Sequence, residues 1–420
     1  METNACAEIV YFDDEIEVFY LDGNGDFLFV TFSDLSTQAN QRTFWAEKFC
    51  RSTSIPAIGI VAKAPNWFPE SSMLRAAKEI EHLLSRYGER LTYGHSMGAY
   101  AALRYGALFQ ASTSLAFSPQ LSIDPSDTAG FDTRYASYYS SRRHGSAMKV
   151  IPSNLADHAY IFFDPLFKED TGHVNLLNNA ENVTRLKVPA SGHDSIRFFV
   201  GSEFFLEVVN LARAREVAKL RQIIRTQRRL KRELRNYYLA QACIQRHPSW
   251  AQALIQDNAQ RFSEEETATL LGLMADHAIN IGHYTEAQSL LDEAFALTSG
   301  RHTLTLWRLS ELAFRRGDRR QRVFWARRAA VTASAPSHVY VAELCIDEGL
   351  FCEARDELEL ALKLDPSNAQ IMRTLASLYE HRGDRMAALA FLFFAATLEP
   401  SDVRLRDLYE NAKRKLHTDN

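Results

Sequence analysis

Apolar and polar residues alternate along the first part of the chain in short runs with turn residues between them. The runs are 8–13 (EIVYFD), 15–21 (EIEVFYL), 26–32 (DFLFVTF), 57–62 (AIGIVA), 90–94 (RLTYG), 113–118 (TSLAFS), 159–164 (AYIFFD) and 183–189 (VTRLKVP). Each is short, β-branched or aromatic, and bounded by turn residues, so each predicts a strand. The first two lie close enough for a hairpin, and DGNGD then turns into the third. The later runs are separated by helical patterns. At 71–87, for example, Met73, Leu74, Ile80, Leu83 and Leu84 form one apolar stripe. Strands alternating with helices predict a mostly parallel eight-stranded sheet, antiparallel only at its start and covered on both faces.

From about residue 205 the strand-like runs stop, and a different periodicity appears. Gly349, Ala354, Ala361, Leu364 and Pro366 recur as Gly383, Ala388, Ala395, Leu398 and Pro400, a register of 34 residues. Gly282, Ala287, Ala294 and Leu297 keep the same internal spacing, while Gly317 and Ala329 keep part of it. A glycine ends one helix, small alanines let the next helix lie close against it, and a proline stops the pair. The pattern resembles the tetratricopeptide repeat family, with about four units over 267–401. That resemblance implies an all-α solenoid that binds a protein partner. Arg322 stands where the small residue of its unit belongs, and Ser334 to Pro336 shift the stop, so that unit is expected to pack loosely. The expected division is therefore 1–212, a basic helical linker over 213–266, and repeats over 267–420. The stretch 213–235 carries ten Lys/Arg and two Glu. It reads as a solvated linker helix that packs through Val217, Leu220, Ile224 and Leu230. It lacks the interleaved aromatics that single-stranded nucleic acid needs, so no nucleic-acid partner is expected.

Composition narrows the class without choosing a function. The 420 residues carry a net charge of -4, which favours neither nucleic acid nor an acidic tail. Five scattered cysteines (Cys6, Cys50, Cys243, Cys345 and Cys352) show no disulfide or metal spacing. The acidic start has no signal-peptide pattern, and no apolar window is long enough to span a membrane. A cytoplasmic protein without metal or cofactor is the expectation.

Chemistry concentrates in the stretch Tyr93–Leu103, YGHSMGAYAAL, a Gly-x-Ser-x-Gly motif between a strand and a helix. A serine on such a turn is held off the carboxyl edge of the sheet in strained geometry, with Gly94 and Gly98 allowing close packing. The Met97 amide then sits at a helix N-terminus, where it can bind an oxyanion. This stretch resembles the α/β-hydrolase family, and the resemblance covers about 8–212. It implies Ser96 as nucleophile and a later acid and histidine, in that order. His193, in VPASGHDSIRFF, follows the last strand and is the base. The acid is Asp164, directly off a strand end and 29 residues before His193, or alternatively Asp170, which otherwise caps a helix starting near Thr171. The second oxyanion donor is the amide of Ser33 or Asp34. Ser33 reads equally as a helix cap. His95 reads as a packed or exposed side chain, and His173 as a helix-surface histidine. Trp67, in PNWFPE, lines the pocket or forms a rigid turn.

Between the sixth and seventh strands, 119–157 occupies the place of a lid and contains Arg134, Tyr135, Tyr138, Tyr139, Arg142 and Arg143. Tyr138, Arg142 and Arg143 are the expected substrate contacts. Tyrosine with arginine suits a polar or anionic substrate, such as a glycan ester or a phosphate-bearing thioester. The sequence thus predicts a serine hydrolase of esters or thioesters fused to a protein-binding solenoid. An acyltransferase with the same triad and an inactive scaffold are the alternatives.

Overall fold

The computed structural model describes residues 7–40, 42–145, 148–330, 334–399 and 402–418. The chain divides into two compact units, Met1–Ala242 and Cys243–Asn420.

The first unit holds one eight-stranded sheet: β1 (Glu8–Phe12), β2 (Ile16–Leu21), β3 (Leu28–Phe32), β4 (Ala57–Ala62), β5 (Arg90–His95), β6 (Thr113–Phe117), β7 (His158–Phe163) and β8 (Val183–Lys187). The spatial order is β1-β2-β4-β3-β5-β6-β7-β8. β2 pairs antiparallel with β1 and β4, and every later pairing is parallel. β2 to β4 are buried along their whole length, as strands covered on both faces must be. The helices of this unit are α1 (Glu47–Thr53), α2 (Glu70–Glu79), α3 (Glu81–Leu84), α4 (Met97–Arg104), α5 (Pro125–Thr128), α6 (Ser141–His144), α7 (Lys168–Asn175), α8 (Ser202–Arg213), α9 (Val217–Leu230) and α10 (Arg232–Cys243). α4 packs on β3, β5 and β6 and is buried end to end, which is why its residues up to Arg104 are small or apolar. An aromatic cluster that includes Phe29, Tyr93, Phe117, Phe199 and Phe205 fills another part of the core.

The expected linker at 213–266 is divided differently. α9 packs against α8 through buried Leu220 and Ile224, and the Arg228 guanidinium donates to the Pro189 carbonyl at 2.7 Å. α9 thus belongs to the first unit, and the division falls at 242/243. Leu230, expected to pack, is 72% exposed. Arg221, Arg225 and Arg229 lie on the exposed face of α9.

The second unit is built from α11 (Pro248–Asp257), α12 (Glu264–Asn280), α13 (Tyr284–Leu297), α14 (Thr303–Arg315), α15 (Arg319–Ala330), α16 (Ala335–Asp347), α17 (Phe351–Leu364), α18 (Ala369–His381), α19 (Arg385–Leu398) and α20 (Val403–Thr418). α12/α13, α14/α15, α16/α17 and α18/α19 form helix hairpins, each packed on the next. The turn glycines Gly282, Gly317, Gly349 and Gly383 have φ of 80°, 74°, 74° and 80°. The repeated alanines Ala287, Ala294, Ala354, Ala361, Ala388 and Ala395 are buried at the helix contacts. Arg322 does not loosen its hairpin: it bonds Glu348 at 2.8 Å and lies over the Phe314 ring. Cys50, Cys243 and Cys345 are buried free thiols and Cys352 is exposed, while Cys6 and Pro400 lie outside the described residues. Among the described residues no helix is long and apolar enough to cross a membrane.

Candidate active site

Ser96 sits between β5 and α4 with φ 54° and ψ -118°, a backbone geometry that costs energy and persists only where its surroundings impose it. Two close approaches impose it. A Cβ on Gly94 would lie 2.2 Å from the Gly98 carbonyl, and one on Gly98 would lie 2.4 Å from the Phe32 carbonyl oxygen. The Ser96 amide is tied to the Phe117 carbonyl at 2.9 Å. The side chain is thereby fixed at the carboxyl edge of the parallel strands.

His193 lies in the loop after β8. Ser96 Oγ and His193 Nε2 are 2.9 Å apart, and His193 Nδ1 is 2.7 Å from Asp170 Oδ1. Asp170 is in the first turn of α7 and wholly buried. A carboxylate only accepts hydrogen bonds, so Nδ1 carries the ring proton of neutral His193 and Nε2 presents its lone pair to the serine. α7 begins at Lys168, so Asp170 is the third residue of that helix and not the cap of a helix starting near Thr171.

Asp164, favoured by its spacing, is placed elsewhere. Its Oδ1 accepts the amides of Leu166 and Ala190, and its Oδ2 those of Ser191 and Gly192, at 2.8 to 3.1 Å. Burial still holds its pKa above the ordinary carboxylate value, against those four amides. Asp164 therefore braces the loop that carries His193 and does not touch the imidazole. A strand-end aspartate and a helix-borne aspartate six residues later are indistinguishable by spacing, and the direction in which α7 leaves the sheet decides between them.

Ser33 must also be reassigned. Its amide donates to the Ile60 carbonyl at 3.0 Å, and its Oγ accepts the Ala62 amide at 3.0 Å, so it offers no oxyanion donor. Nor does it cap a helix, since α1 begins only at Glu47. The neighbouring Asp34 amide has no acceptor among the described residues. The Met97 amide belongs to the first turn of α4, whose N–H groups have no partner within the helix.

Asp34 is itself pinned. It accepts the amides of Ser36 and Thr37, and its carboxylate lies 3.8 Å from His95 Nδ1. Burial raises its pKa, but His95 and the Ser36 and Thr37 bonds outweigh this and hold it at about 2. His95 is buried and packed, and its Nε2 donates to the His193 carbonyl at 3.1 Å. Burial pulls the His95 pKa down, yet Asp34 and that carbonyl carry it above its ordinary value. His95 thus joins the nucleophile turn, the Asp34 loop and the histidine loop.

Gln120, three residues past β6, was not singled out by any motif. It is wholly buried, with its Nε2 donating to Ser96 Oγ at 2.8 Å and standing 3.0 Å from His193 Nε2. Its Oε1 is buried and has no partner among the described residues. The available signal was positional, since residues just past a parallel strand's carboxyl end converge on the same edge as the serine.

His173 is not on the surface: it is buried, accepts the Leu121 amide at 3.2 Å through Nδ1, and bonds Asp132 at 3.1 Å through Nε2. Asp132 also takes two bonds from Arg134, whose guanidinium lies over the rings of Tyr135 and Phe167. Burial opposes ionisation of Asp132, but His173 and Arg134 more than offset it and hold its carboxyl far below the usual range.

Trp67 is buried, with its ring 5.3 Å from Tyr135 and 5.5 Å from Tyr138. Burial raises the Tyr135 phenol pKa, with Arg134 and Ser96 among the groups that bear on it. Tyr138 is partly exposed. Arg143 pairs with Glu15 at 3.2 Å beside the β1–β2 turn, so it is engaged in an ion pair instead of facing the serine. The Arg142 side chain lies outside the described residues. With Arg134 on Asp132, both described arginines of the lid stretch named here are committed to carboxylates. The site therefore brings together Ser96, His193, Asp170, Gln120 and the Met97 amide. Chemically, the set can move a proton from a hydroxyl to an imidazole and hold the resulting imidazolium against a buried carboxylate.

No family model and no curated protein matches the chain. Among solved structures it is similar to the Cut9-Hcn1 hetero-tetramer of APC/C, at 16% identity over 47% of this chain and 40% of that one, with a TM-score of 0.31. It is similar to YrrB, described as a TPR protein with an unusual peptide-binding site, at 15% identity over 44% of this chain and 96% of that one, with a TM-score of 0.33. A third similarity is to MamA from Desulfovibrio magneticus RS-1, at 18% identity over 40% and 95% of the two chains, with a TM-score of 0.31. The chain spans less than half the length of the first of these. The helix hairpins of the second unit are defined by the packing of its own helices.

Proposed function

We propose that the first unit is a serine-dependent acyl-transfer enzyme of the α/β-hydrolase type, acting on an ester or thioester. Ser96 attacks the acyl carbon, His193 takes the serine proton at Nε2, and Asp170 stabilises the imidazolium. The amides of Met97 and Asp34 stabilise the tetrahedral oxyanion. The observation that carries the reading is the continuous chain Ser96 Oγ–His193 Nε2 at 2.9 Å and His193 Nδ1–Asp170 Oδ1 at 2.7 Å, built on a serine held at φ 54°. A serine with no chemical task would not need that strained turn.

The proposal extends to the second unit as a tetratricopeptide-type surface for a protein partner, because its repeated helix hairpins expose side chains in regular rows. Fluorophosphonate labelling tests the enzyme reading. Wild type is modified at Ser96, and His193→Ala slows the reaction by about three orders of magnitude. Equal labelling of the two proteins, or labelling at another residue, rejects it, and no labelling at all leaves an inactive scaffold.

A further inference from the structure

Gln120 occupies a position that decides what can follow acylation. A nucleophile that resolves an acyl-serine must place its oxygen within hydrogen-bond reach of His193 Nε2 and beside Ser96 Oγ. Gln120 Nε2 already stands there, 3.0 Å from His193 Nε2 and 2.8 Å from Ser96 Oγ. The identity of the amide atom follows from the rest of the site. Asp170 fixes the proton on His193 Nδ1, so the Ser96 hydroxyl donates to the Nε2 lone pair and its Oγ accepts from the NH₂ end of Gln120, and once Ser96 is acylated and has no proton to give, that lone pair is open to the same N–H. Oε1 would set two lone pairs against each other.

The surroundings hold Gln120 in place. Its side chain is wholly buried, and the adjacent Leu121 amide is anchored on buried His173, itself fixed by Asp132. Ser96 is 6% exposed. The space beside the base is thus filled by a protein atom that cannot react. Its partner atom, Oε1, is a buried acceptor with no hydrogen-bond donor among the described residues.

We infer that Gln120 keeps water from the acyl-serine and that the acyl group is passed instead to a hydroxyl-bearing acceptor, so that the enzyme is a transferase. This rests on Ser96 being the nucleophile. An alcohol can displace the Gln120 Nε2–His193 contact because its remaining atoms add contacts with Tyr135, whose phenol bears on Ser96, and with Tyr138, which is partly exposed and packed on Trp67. Displacing the side chain also opens Oε1, buried and without a donor among the described residues, to a neighbouring hydroxyl. Water brings no such additional contacts. In the transfer step the acceptor oxygen bonds the acyl carbon and its proton goes to His193 Nε2. The acyl carbon–Oγ bond breaks, and that proton returns to Ser96 Oγ.

Stopped-flow reaction with p-nitrophenyl acetate separates the steps, since nitrophenolate leaves without a proton from His193 while deacylation needs the base. Wild type gives a burst equivalent to one acyl group per chain followed by slow turnover, and glycerol accelerates that turnover with formation of glyceryl acetate. Gln120→Ala makes room for a water, and the ratio of deacylation to acylation rate in glycerol-free buffer rises by about tenfold or more. Gln120→Leu, which fills the space without donors, keeps the ratio low. Rapid steady hydrolysis by wild type without a burst, unaltered by glycerol in a protein that labels at Ser96, overturns the inference even if no variant folds. So does a Gln120→Ala ratio at or below that of wild type. Absence of both a burst and fluorophosphonate labelling rejects the nucleophile itself, a different failure.

Discussion

Replacing Asp170 and Asp164 separately by asparagine should produce two unlike defects. In Asp170→Asn the amide oxygen can still accept the His193 Nδ1 proton, but the NH₂ group can instead donate to Nδ1 and drive the proton to Nε2. In that tautomer His193 cannot accept the serine proton. No negative charge is left to stabilise the imidazolium, and residue 170 is wholly buried, so water does not substitute there. The expected loss in acylation rate is about 10³–10⁴-fold, with little change in thermal stability. Asp164→Asn acts through the fold. Either orientation of the amide sets an NH₂ group against two backbone N–H donors, Leu166 with Ala190 or Ser191 with Gly192. Two buried donors left unpaired cost about 3 kcal/mol. For a unit of this size that lowers the melting temperature by about 6–12 °C. Differential scanning fluorimetry and the fluorophosphonate labelling rate, measured on the same samples below both transitions, check the pair. Normal labelling in Asp170→Asn together with loss of labelling in folded Asp164→Asn would refute the assignment of the acid.

Three further outcomes follow from the same geometry. Gly98→Ala drives a Cβ against the Phe32 carbonyl oxygen and should destabilise the first unit by about 3 kcal/mol while slowing labelling of Ser96; an unchanged melting curve contradicts the close approach. His95→Phe keeps the ring contact with Trp45 but loses the bond to the His193 carbonyl, so acylation should fall by about tenfold. The folded-state pKa of His95 lies above its ordinary 6.5, so the stability it supplies is full below that pH and is lost as pH rises through the folded value. The melting-temperature gap between wild type and His95→Phe should therefore narrow from acid to alkaline buffer. His144 works in the opposite sense. It accepts the Ser140 amide at Nδ1 and donates to the Asn66 carbonyl from Nε2, and burial, aided by Arg143, depresses its pKa despite the Asn66 and Ser140 bonds and the opposing charge of Glu15. Its contribution is full above the ordinary value and lost as pH falls. Hydrogen exchange at the Ser140 amide, corrected for intrinsic rate, should quicken in mild acid in wild type and not in His144→Gln.

What could be read from the residues and what could not divides along one physical line. Strands and repeats are set by local periodicity, and each of the eight apolar runs corresponds to a strand of the sheet. The Gly-x-Ser-x-Gly turn is likewise local: its two glycines are required by contacts within β3, β5 and α4. His193 was found because a loop after the last strand returns to the sheet edge. The acid, the amide neighbours and Gln120 depend instead on how loops from different strands cross at that edge. Asp164 and Asp170 differ in function because one meets backbone amides and the other meets an imidazole, and no pattern along the chain encodes that difference. The partners of the arginines of 134–143 were hidden for a related reason. Their charge suggested an anion, yet Arg134 and Arg143 are answered by Asp132 and Glu15, the latter 128 residues away from Arg143. With those two charges paired, the lid stretch sets the rings of Tyr135 and Tyr138 against Trp67, while the Gln120 amide stands at Ser96. If the first unit is the acyl-transfer enzyme proposed above, those groups suit an acceptor with hydroxyl groups and a ring face better than one read through Arg134 or Arg143.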